Sequence, residues 1–411
     1  MIQVLDKVRQ LYEEHPYPPP ETDLEAYKDR QLIPAGAPCA FYHLFWPERP
    51  YRDDLDMLIA GCGTSQATIF ALNHPRSSVV GIDVSETSLA HTRRLADRYG
   101  ADNLELHHLP IEQVGTLDRD FDFVASTGVL HHLDDPSAGL KALHDVTRPD
   151  GALYLMVYAT YGRAGVYMMQ SYCRMLGLEP TDSDVDGLRS VVRGLPAHHP
   201  LSAFAANSAD LATTAGMADL FLNPRDRSFT VPQVHDWLDA CGLDLQRWYY
   251  QAPYQPQCSV LRGGPHMKRL NRMPEAQQHA AVELVRGDIA KHQFVACRRD
   301  RSGGAPCVEF DSDDHLGYVP IRYPGVTIDQ ENLPDRAVAR LRHLGHGDLD
   351  ISTTIDHAEL LLYQAIDGQR TIGRIAEAID LQAALPVRRR FARQFFERMW
   401  WFDQVFFRTA C

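Results

Sequence analysis

Short apolar runs alternate with amphipathic segments through the middle of the chain, from residue 54 to residue 298. The amphipathic segments repeat their apolar residues at helical spacing, whereas the apolar runs have the length of buried strands. Strands separated by single helices of this length form a parallel sheet with right-handed crossovers. The pattern therefore predicts an α/β fold with seven strands, at 56–60, 78–83, 103–108, 121–126, 151–158, 244–250 and 292–298.

The segments outside this alternation predict additional parts. A helix over 6–14 must end at the sequence HPYPPP, and the proline-rich, aromatic stretch that follows is predicted to lie as a strap on the next domain. A helical stretch interrupts the alternation after the fifth strand, and a glycine-containing linker at 299–306 precedes three further helices. We predict four parts: 1–50 as helix and strap, 51–160 with 228–300 as the α/β domain, 161–227 as an inserted helical cap for substrate or dimer contacts, and 308–411 as a small α-rich accessory domain.

Composition narrows the class of protein. The 411 residues are 45% hydrophobic and 23% charged, which is typical of a globular protein. A formal net charge of −13 argues against general nucleic-acid binding, which needs a basic surface, and suits a neutral acceptor or a basic protein. Eight cysteines without a Cys-x-x-Cys pair, and no apolar run of membrane-spanning length, predict reduced thiols, no metal site, no membrane segment and a cytoplasmic location.

A glycine-rich turn follows the first predicted strand, with the sequence AGCGTS over 60–65. Glycines allow a tight turn and a close approach of the backbone to a ligand. The second strand ends at Asp83, 22 residues after Gly61, near the offset at which an acidic side chain meets ribose hydroxyls. A dinucleotide fingerprint would have a third glycine where Gln66 stands, and the Lys-Ser/Thr pair of a P-loop is missing. These features predict a site for a nucleoside without phosphates.

Residues 54–158 resemble class I S-adenosylmethionine-dependent methyltransferases. The segments that carry the resemblance are LIAGCGTSQA, VVGIDVSETSLAHTRRLADRYG, NLELHHLPIEQV, FDFVASTGVLHHLDDPSAGLKAL and RPDGALYLMVY, in the order of the family's motifs. A bacterial branch of that family also has segments similar to YEEHPYP, YGRAGVYMMQ and DLFLNPRDRSFTVPQV, so the resemblance extends over about residues 8–300. It implies a Rossmann-like sheet with helices on both faces, S-adenosylmethionine as cofactor, and methyl transfer.

The resemblance also implies roles for individual residues. The glycine turn would face the methionine part of the cofactor, Asp83 the ribose, and Val84 with the residues after the third strand the adenine. The sequence departs from the broader family pattern at Ile59, at Ser65 and at His108 or Leu109, where acidic or glycine residues are frequent. The implied cofactor residues are Gly61, Gly63, Thr64, Gln66, Asp83, Val84, Leu109, Pro110, Ile111, Ser126, Thr127 and Gly128.

Four residues are candidates for the acceptor side. His131 and His132 follow the fourth strand, where a general base would reach the acceptor, although a paired histidine there also shapes the loop. Tyr17 either folds over the cofactor or packs the strap, and Tyr161 lies at the predicted mouth of the site. Arg163 beside it either holds an anion or, as we favour, pairs with an aspartate of the cap.

We predict a homodimeric methyltransferase and favour a lysine side chain of a basic protein as acceptor, because a cap and an accessory domain suit a large substrate. A small-molecule O- or C-methyltransferase and a non-catalytic regulator that senses S-adenosylmethionine remain the alternatives. The fourth strand does not end in an Asn/Asp-Pro-Pro-Tyr/Phe motif, so adenine and glutamine amino groups are disfavoured. Residues 367–376 resemble the helix-turn-helix core of small winged-helix or peptide-chaperone-like modules, which predicts a recruitment or dimerisation role for the C-terminal part.

Overall fold

The computed structural model describes residues 2–29, 32–206, 208–347 and 349–409. These residues form two compact units, each built from more than one stretch of the chain. The first unit comprises Met1–Cys39, Asp53–Leu245 and Gly287–Ser302; the second comprises Ala40–Arg52, Gln246–Arg286 and Gly303–Cys411. None of the helices in the described ranges is long and apolar enough to cross a membrane.

A mostly parallel seven-stranded sheet forms the centre of the α/β fold, as predicted. Its strands follow the order β3-β2-β1-β4-β5-β7-β6. The pairs from β3 through β5 are parallel, and β7 runs antiparallel to β5. The strands are β1 (Asp56–Ala60), β2 (Ser78–Asp83), β3 (Leu104–His108), β4 (Phe121–Thr127), β5 (Thr147–Tyr158), β6 (Leu243–Trp248) and β7 (Lys291–Arg298).

Sixteen α-helices stand in the described residues. Three of those in the first unit, at 66–73, 86–99 and 136–145, pack on strands of the sheet. In chain order they are α1 (Ile2–Glu14), α2 (Glu25–Lys28), α3 (Pro38–Phe45), α4 (Gln66–Asn73), α5 (Glu86–Tyr99), α6 (Pro136–Asp145), α7 (Ala164–Leu176), α8 (Asp182–Arg193), α9 (Leu201–Ala205), α10 (Thr214–Met217), α11 (Val231–Ala240), α12 (Met267–Leu270), α13 (Glu275–Arg286), α14 (His357–Gln364), α15 (Ile372–Ala378) and α16 (Leu385–Trp401).

The central strands are buried on both faces, which explains why the sequence shows continuous apolar runs rather than alternation. Four of the five residues of β1 and six of the seven of β4 are buried. β5 begins at Thr147, earlier than predicted, because Thr147 pairs with Phe121 across an irregularity in the register. The Pro-Asp-Gly sequence that follows Arg148 hides this start, because Pro and Gly are turn signals.

The strap after α1 runs along α5. Glu13 accepts hydrogen bonds from the backbone N–H groups of Glu86 and Thr87 at the start of that helix. Further along, the His91 ring bonds the carbonyl of Glu21, and Leu24 is fully buried in an apolar cluster with Leu95 and others. These contacts position residues 13–24 on the first unit. The predicted strap extended to residue 50, but residues 40–52 belong to the second unit.

The residues between β5 and α11 are mainly helical and have an apolar cluster of their own. Val166, Met169, Val185, Leu188 and Leu201 are among its buried members. These helices nevertheless belong to the same compact unit as the sheet. The sequence pattern therefore located the helical interruption, whereas the contacts do not separate it as a domain.

The second unit differs from the predicted α-rich domain, because five strands accompany its helices. They are β8 (Val319–Arg322), β9 (Val326–Asp329), β10 (Ala339–His343), β11 (Ser352–Ile355) and β12 (Val405–Arg408). β9, β10 and β11 form an antiparallel sheet, and β12 pairs with β8. Each strand has only four or five residues, too few for periodicity to reveal. The third helix predicted in this part, over 388–405, ends sooner in the structure, at Trp401, because residues 405–408 pair with β8.

The boundary of the second unit also differs from the predicted one. Residues 246–286 were predicted as part of the α/β domain, and the structure places them in the second unit. A buried carboxylate explains their position. Asp403 is fully buried and accepts hydrogen bonds from the backbone N–H groups of Gln251 and Ala252 and from the His346 ring. The Arg247 guanidinium lies 3.5 Å from the same carboxylate.

A buried histidine in this unit predicts loss of stability in acid. Burial lowers the pKa of His343 from 6.5 to about 4, and its Nδ1 accepts a hydrogen bond from the N–H of Gly345. The unfolded chain therefore binds a proton at a higher pH than the folded chain, and stability is lost as the pH falls below 6.5. Because of this histidine, we expect the free energy of unfolding to be about 2 kcal/mol lower at pH 5 than at pH 7.

Urea denaturation of the full chain at these two pH values, followed by tryptophan fluorescence, measures the effect. The variant His343→Asn keeps a hydrogen-bond acceptor without the titrating ring, so its loss between the two pH values should be smaller than that of the wild type. His357→Asn, at an exposed position of the same unit, is the matched control. Equal losses in the wild type and in His343→Asn would contradict the prediction.

Candidate functional site

The turn after β1 requires glycine at two positions. Gly61 and Gly63 have φ angles of +73° and +57°, a region that favours glycine. A Cβ atom on Gly61 would also lie 2.3 Å from a methyl group of Val129, which follows β4. The N–H groups of Gly61 and Cys62 donate to the carbonyl of Ile82, so the turn is fixed to the end of β2. Burial raises the pKa of the Cys62 thiol, which agrees with a small packing residue rather than a nucleophile.

Asp83 at the end of β2 faces this turn. Its two carboxylate oxygens accept hydrogen bonds from the backbone N–H groups of Gly63, at 2.8 Å, and Ser85, at 2.9 Å. Burial raises the pKa of this carboxyl, while the two backbone donors oppose that shift. The predicted spacing therefore brings the carboxylate and the glycine turn together, and Asp83 also holds the shape of the turn.

The other predicted cofactor residues lie at the same edge of the sheet, because parallel strands share their carboxyl ends. After β3, the N–H of Leu109 donates to the carbonyl of Asp83. Beside β4, the Gln66 amide donates to the hydroxyl of Thr127 at 2.9 Å. Val84, Pro110 and Ile111 follow β2 and β3, Thr64 belongs to the glycine turn, and Ser126 and Gly128 stand at the end of β4.

The strap brings Tyr17 to the glycine turn. The Thr64 hydroxyl donates to the carbonyl of Pro18 at 3.0 Å, and a Cβ on Gly63 would lie 3.3 Å from the Pro18 ring. The Tyr17 hydroxyl donates to the Asp210 carboxylate at 2.8 Å. Burial and this negative charge raise the pKa of Tyr17. Tyr17 is therefore a neutral donor that is fixed next to the turn by a carboxylate from the helical segment.

A second tyrosine–aspartate pair lies in the same unit, and the sequence reasoning missed it. The Tyr12 hydroxyl donates to Asp219 at 2.9 Å, and the Asn223 amide lies 3.2 Å from that hydroxyl. Burial raises the pKa of both Tyr12 and Asp219. The segment DLFLNPRDRSFT, which begins at Asp219, resembles family sequences and was therefore noticed in the sequence. The sequence did not predict which residues its polar side chains contact.

The two predicted histidines are buried side by side. The ring centroids of His131 and His132 are 4.1 Å apart, and the His131 ring lies 4.0 Å from that of Tyr158. The His132 Nδ1 donates to the carbonyl of Arg225 at 2.6 Å. Burial holds the pKa of His131 well below its usual value, so that ring is neutral. The sequence placed the pair correctly at the end of β4 but did not predict its burial.

The two remaining residues at the predicted mouth of the site, Tyr161 and Arg163, differ in exposure. The Tyr161 ring is 38% exposed. Arg163 is almost fully buried, with its guanidinium 3.5 Å from the centroid of the Tyr158 ring and 3.4 Å from the Asp226 carboxylate. Asp226 lies within the predicted cap, so the favoured pairing of Arg163 with an aspartate of that segment is present.

Known proteins resemble this chain at two levels. Residues 58–153 match the family described as methyltransferase domain. An uncharacterized protein of Synechococcus sp. is 26% identical over 405 residues, which cover 93% of this chain and 94% of that protein. The ubiquinone biosynthesis O-methyltransferase of Ruegeria pomeroyi is 31% identical over 120 residues, 28% of this chain and 44% of that protein.

Solved structures share the fold over nearly the whole chain. PKMT2 from Rickettsia typhi has a TM-score of 0.66 at 14% identity and covers 95% of this chain and 77% of its own. The same protein in complex with AdoHcy has a TM-score of 0.64 at the same identity and coverage. The matched domain, the strand order and the glycine turn that faces Asp83 agree with one another. Residues 58–153 belong to a methyltransferase domain of the class I fold, so the chain is an enzyme whose cofactor is S-adenosylmethionine.

Proposed function

We propose that this enzyme transfers the methyl group of S-adenosylmethionine to the amino group of a lysine side chain in a basic protein. The predicted cofactor residues hold the cofactor in this proposal: the glycine turn contacts its methionine part, Asp83 its ribose, and Val84 with Leu109–Ile111 its adenine. Their position along one edge of the parallel sheet supports this assignment, because ligands of such sheets bind beyond the carboxyl ends of the strands.

The hydrogen bond between Tyr17 and Asp210 is the observation on which the proposed acceptor rests. A hydroxyl that donates its proton to a carboxylate keeps only lone pairs for a ligand, so it accepts hydrogen bonds and no longer donates them. An amine supplies the N–H groups that such a hydroxyl can accept. The strap holds the backbone of residues 17–18 against the glycine turn, so in this proposal an amine at the Tyr17 hydroxyl binds on the side of the cofactor.

The charge around this position also suits an amine. Asp210, Asp219 and Asp226 contribute three carboxylates, against the guanidinium of Arg163 and the ammonium of Lys291, which interacts with Asp210. Negative charge attracts a lysine ammonium from solution, and the ammonium releases one proton to solvent before its nitrogen can attack. The neutral nitrogen attacks the methyl carbon as the carbon–sulfur bond breaks, with AdoHcy as the leaving group. Correct alignment of nitrogen, carbon and sulfur supplies much of the rate in such a displacement.

The charge of the whole chain also supports a protein acceptor. The net charge of −13 favours association with a basic partner. PKMT2, whose fold is shared by 95% of this chain, has been solved in complex with AdoHcy, the product that methyl transfer leaves. A homodimer and a cytoplasmic location remain predictions from the sequence.

A labelling experiment tests the proposed acceptor. The purified full chain is incubated with S-adenosylmethionine carrying a tritiated methyl group and with extract of cells that lack the gene. We expect label in protein bands, and methylated lysine in those bands by mass spectrometry. Label confined to extractable small molecules would replace the proposal with a small-molecule methyltransferase. Calorimetric binding of S-adenosylmethionine without label in either fraction would instead indicate a sensor.

Tyr17→Phe tests the proposed role of the hydrogen bond between Tyr17 and Asp210. The variant removes the hydroxyl and leaves Asp210 without this donor, so we expect kcat/KM for the protein acceptor to fall about 10-fold, the effect of one hydrogen bond to a charged group. Cofactor affinity, measured by calorimetry, should change less than kcat/KM. Tyr172→Phe alters an exposed tyrosine of the same unit and is the matched control. A kcat/KM equal to that of the wild type would show that the hydroxyl does not contact the acceptor.

A further inference from the structure

Two histidines that the proposed reaction does not use, and the aspartate that pairs with Arg163, lie close together in the interior of the first unit. His131 and His132 follow β4, and Asp226 comes from the segment before α11. Each offers one ligand atom, a ring nitrogen or a carboxylate oxygen, and the three atoms lie within 4.8 Å of one another. Spacing along the chain could not reveal this group, because five α-helices separate the histidines from the aspartate.

Each of the three residues also has a buried polar atom that lacks a hydrogen-bond partner within the described part of the chain. These atoms are Nδ1 and Nε2 of His131, Nε2 of His132 and Oδ1 of Asp226. A buried polar atom without a partner costs about 1–3 kcal/mol, and such atoms are rare in folded proteins. Several of them in one place indicate that something else binds there.

The remaining polar atoms of two of these residues are occupied in the manner typical of metal ligands. His132 donates from Nδ1 to the carbonyl of Arg225, which leaves the Nε2 lone pair available. The Oδ2 of Asp226 accepts from the Gln170 amide at 2.7 Å and lies 3.4 Å from Arg163, while Oδ1 has no partner in the described ranges. Metal-binding histidines and carboxylates are usually oriented by such second contacts.

We propose that His131, His132 and Asp226 bind one divalent transition-metal ion. Two imidazoles and one carboxylate suit Zn²⁺, Co²⁺ or Fe²⁺, whereas Mg²⁺ and Ca²⁺ prefer ligand sets made of oxygen alone. Ligand atoms at about 2.0–2.2 Å from such an ion stand closer together than 4.8 Å, so binding requires a small inward movement of the side chains. Three protein ligands leave a coordination position for water or for an atom of a substrate.

The charge balance permits such an ion. The Arg163 guanidinium opposes a second cation, but it lies on the ring of Tyr158 and pairs with the other oxygen of Asp226. Asp219 adds a second buried carboxylate that interacts with His132. Since Asp219 and Asp226 together outnumber the single guanidinium, the interior has negative charge left for an ion.

Metal binding by the purified full chain tests the proposal. The protein is treated with a chelator, dialysed, and titrated with Zn²⁺ by calorimetry and with Co²⁺ by visible absorption. We expect one equivalent to bind, with the intense visible bands of four- or five-coordinate Co²⁺. Cofactor affinity is measured on the same samples, so failure of the metal site is distinguishable from failure of the methyltransferase assignment.

Variants assign the site. Asp226→Asn and His132→Gln keep side chains of similar size, and each should weaken Zn²⁺ binding by more than about 100-fold, beyond the effect of losing a second contact. His198→Gln changes an exposed histidine of the same unit, and all cysteines remain in every variant. Co²⁺ that stays six-coordinate, or Zn²⁺ affinity that is the same in the wild type and in both variants, would overturn the proposal and leave water as the occupant. Circular dichroism confirms that each variant is folded.

Discussion

Asp83→Ala should weaken the binding of S-adenosylmethionine about 100-fold. The variant removes the proposed ribose contact and also the acceptor for the N–H groups of Gly63 and Ser85. A hydrogen bond to a charged group contributes about 1.5–3 kcal/mol, and each 1.4 kcal/mol changes an equilibrium constant about tenfold. Loss of the turn geometry adds to the loss of the direct contact, so this carboxylate has a larger effect than its ribose contact alone would give.

Calorimetric titration with S-adenosylmethionine measures this effect. Asp83→Asn separates its two causes, because an amide still accepts one hydrogen bond but presents N–H groups to the other donor. We expect its affinity to lie between those of the wild type and Asp83→Ala. Asp97→Ala removes an exposed carboxylate of α5 and should leave affinity unchanged. Wild-type affinity in Asp83→Ala would place the nucleoside elsewhere.

Asp403→Ala should destabilise the second unit by about 3–5 kcal/mol, the cost of removing one partner of a buried ion pair. The variant leaves the Arg247 guanidinium buried without its carboxylate and the N–H groups of Gln251 and Ala252 without their acceptor. Burial already lowers the pKa of Arg247, which indicates how costly its charge is in this environment. Asp403 also has a φ angle of +53°, which alanine tolerates poorly.

Urea denaturation followed by tryptophan fluorescence measures this loss, because four of the five tryptophans belong to the second unit. Asp403→Asn tolerates the positive φ angle and removes the charge alone, so its midpoint should lie between those of the wild type and Asp403→Ala. Asp335→Ala, at an exposed position of the same unit, is the matched control. An unchanged midpoint in Asp403→Ala would show that the network contributes no stability.

The sequence determined the α/β fold and predicted the position of the cofactor. The central strands of the sheet were predictable because buried parallel strands are continuous apolar runs, which local composition reveals. Gly61 and Asp83 were readable because their spacing follows from the length of one strand–helix–strand unit. Both patterns involve residues that are close together in the sequence. In the structure, a Cβ on Gly61 would clash with Val129, and the Asp83 carboxylate accepts a hydrogen bond from the backbone of the same turn.

Only the tertiary structure decided which distant polar groups meet. Tyr12 donates a hydrogen bond to Asp219, and Tyr17 donates one to Asp210. His132 lies beside Asp226, and in each case the two residues are far apart in the sequence. No periodicity records such pairs, because each depends on how separate segments pack against one another. The short strands of the second unit were not predicted for a related reason. A segment of four or five residues is stable as a strand only where a partner strand completes its hydrogen bonds. The acceptor side, and with it the choice of substrate, is therefore a property of the packed fold.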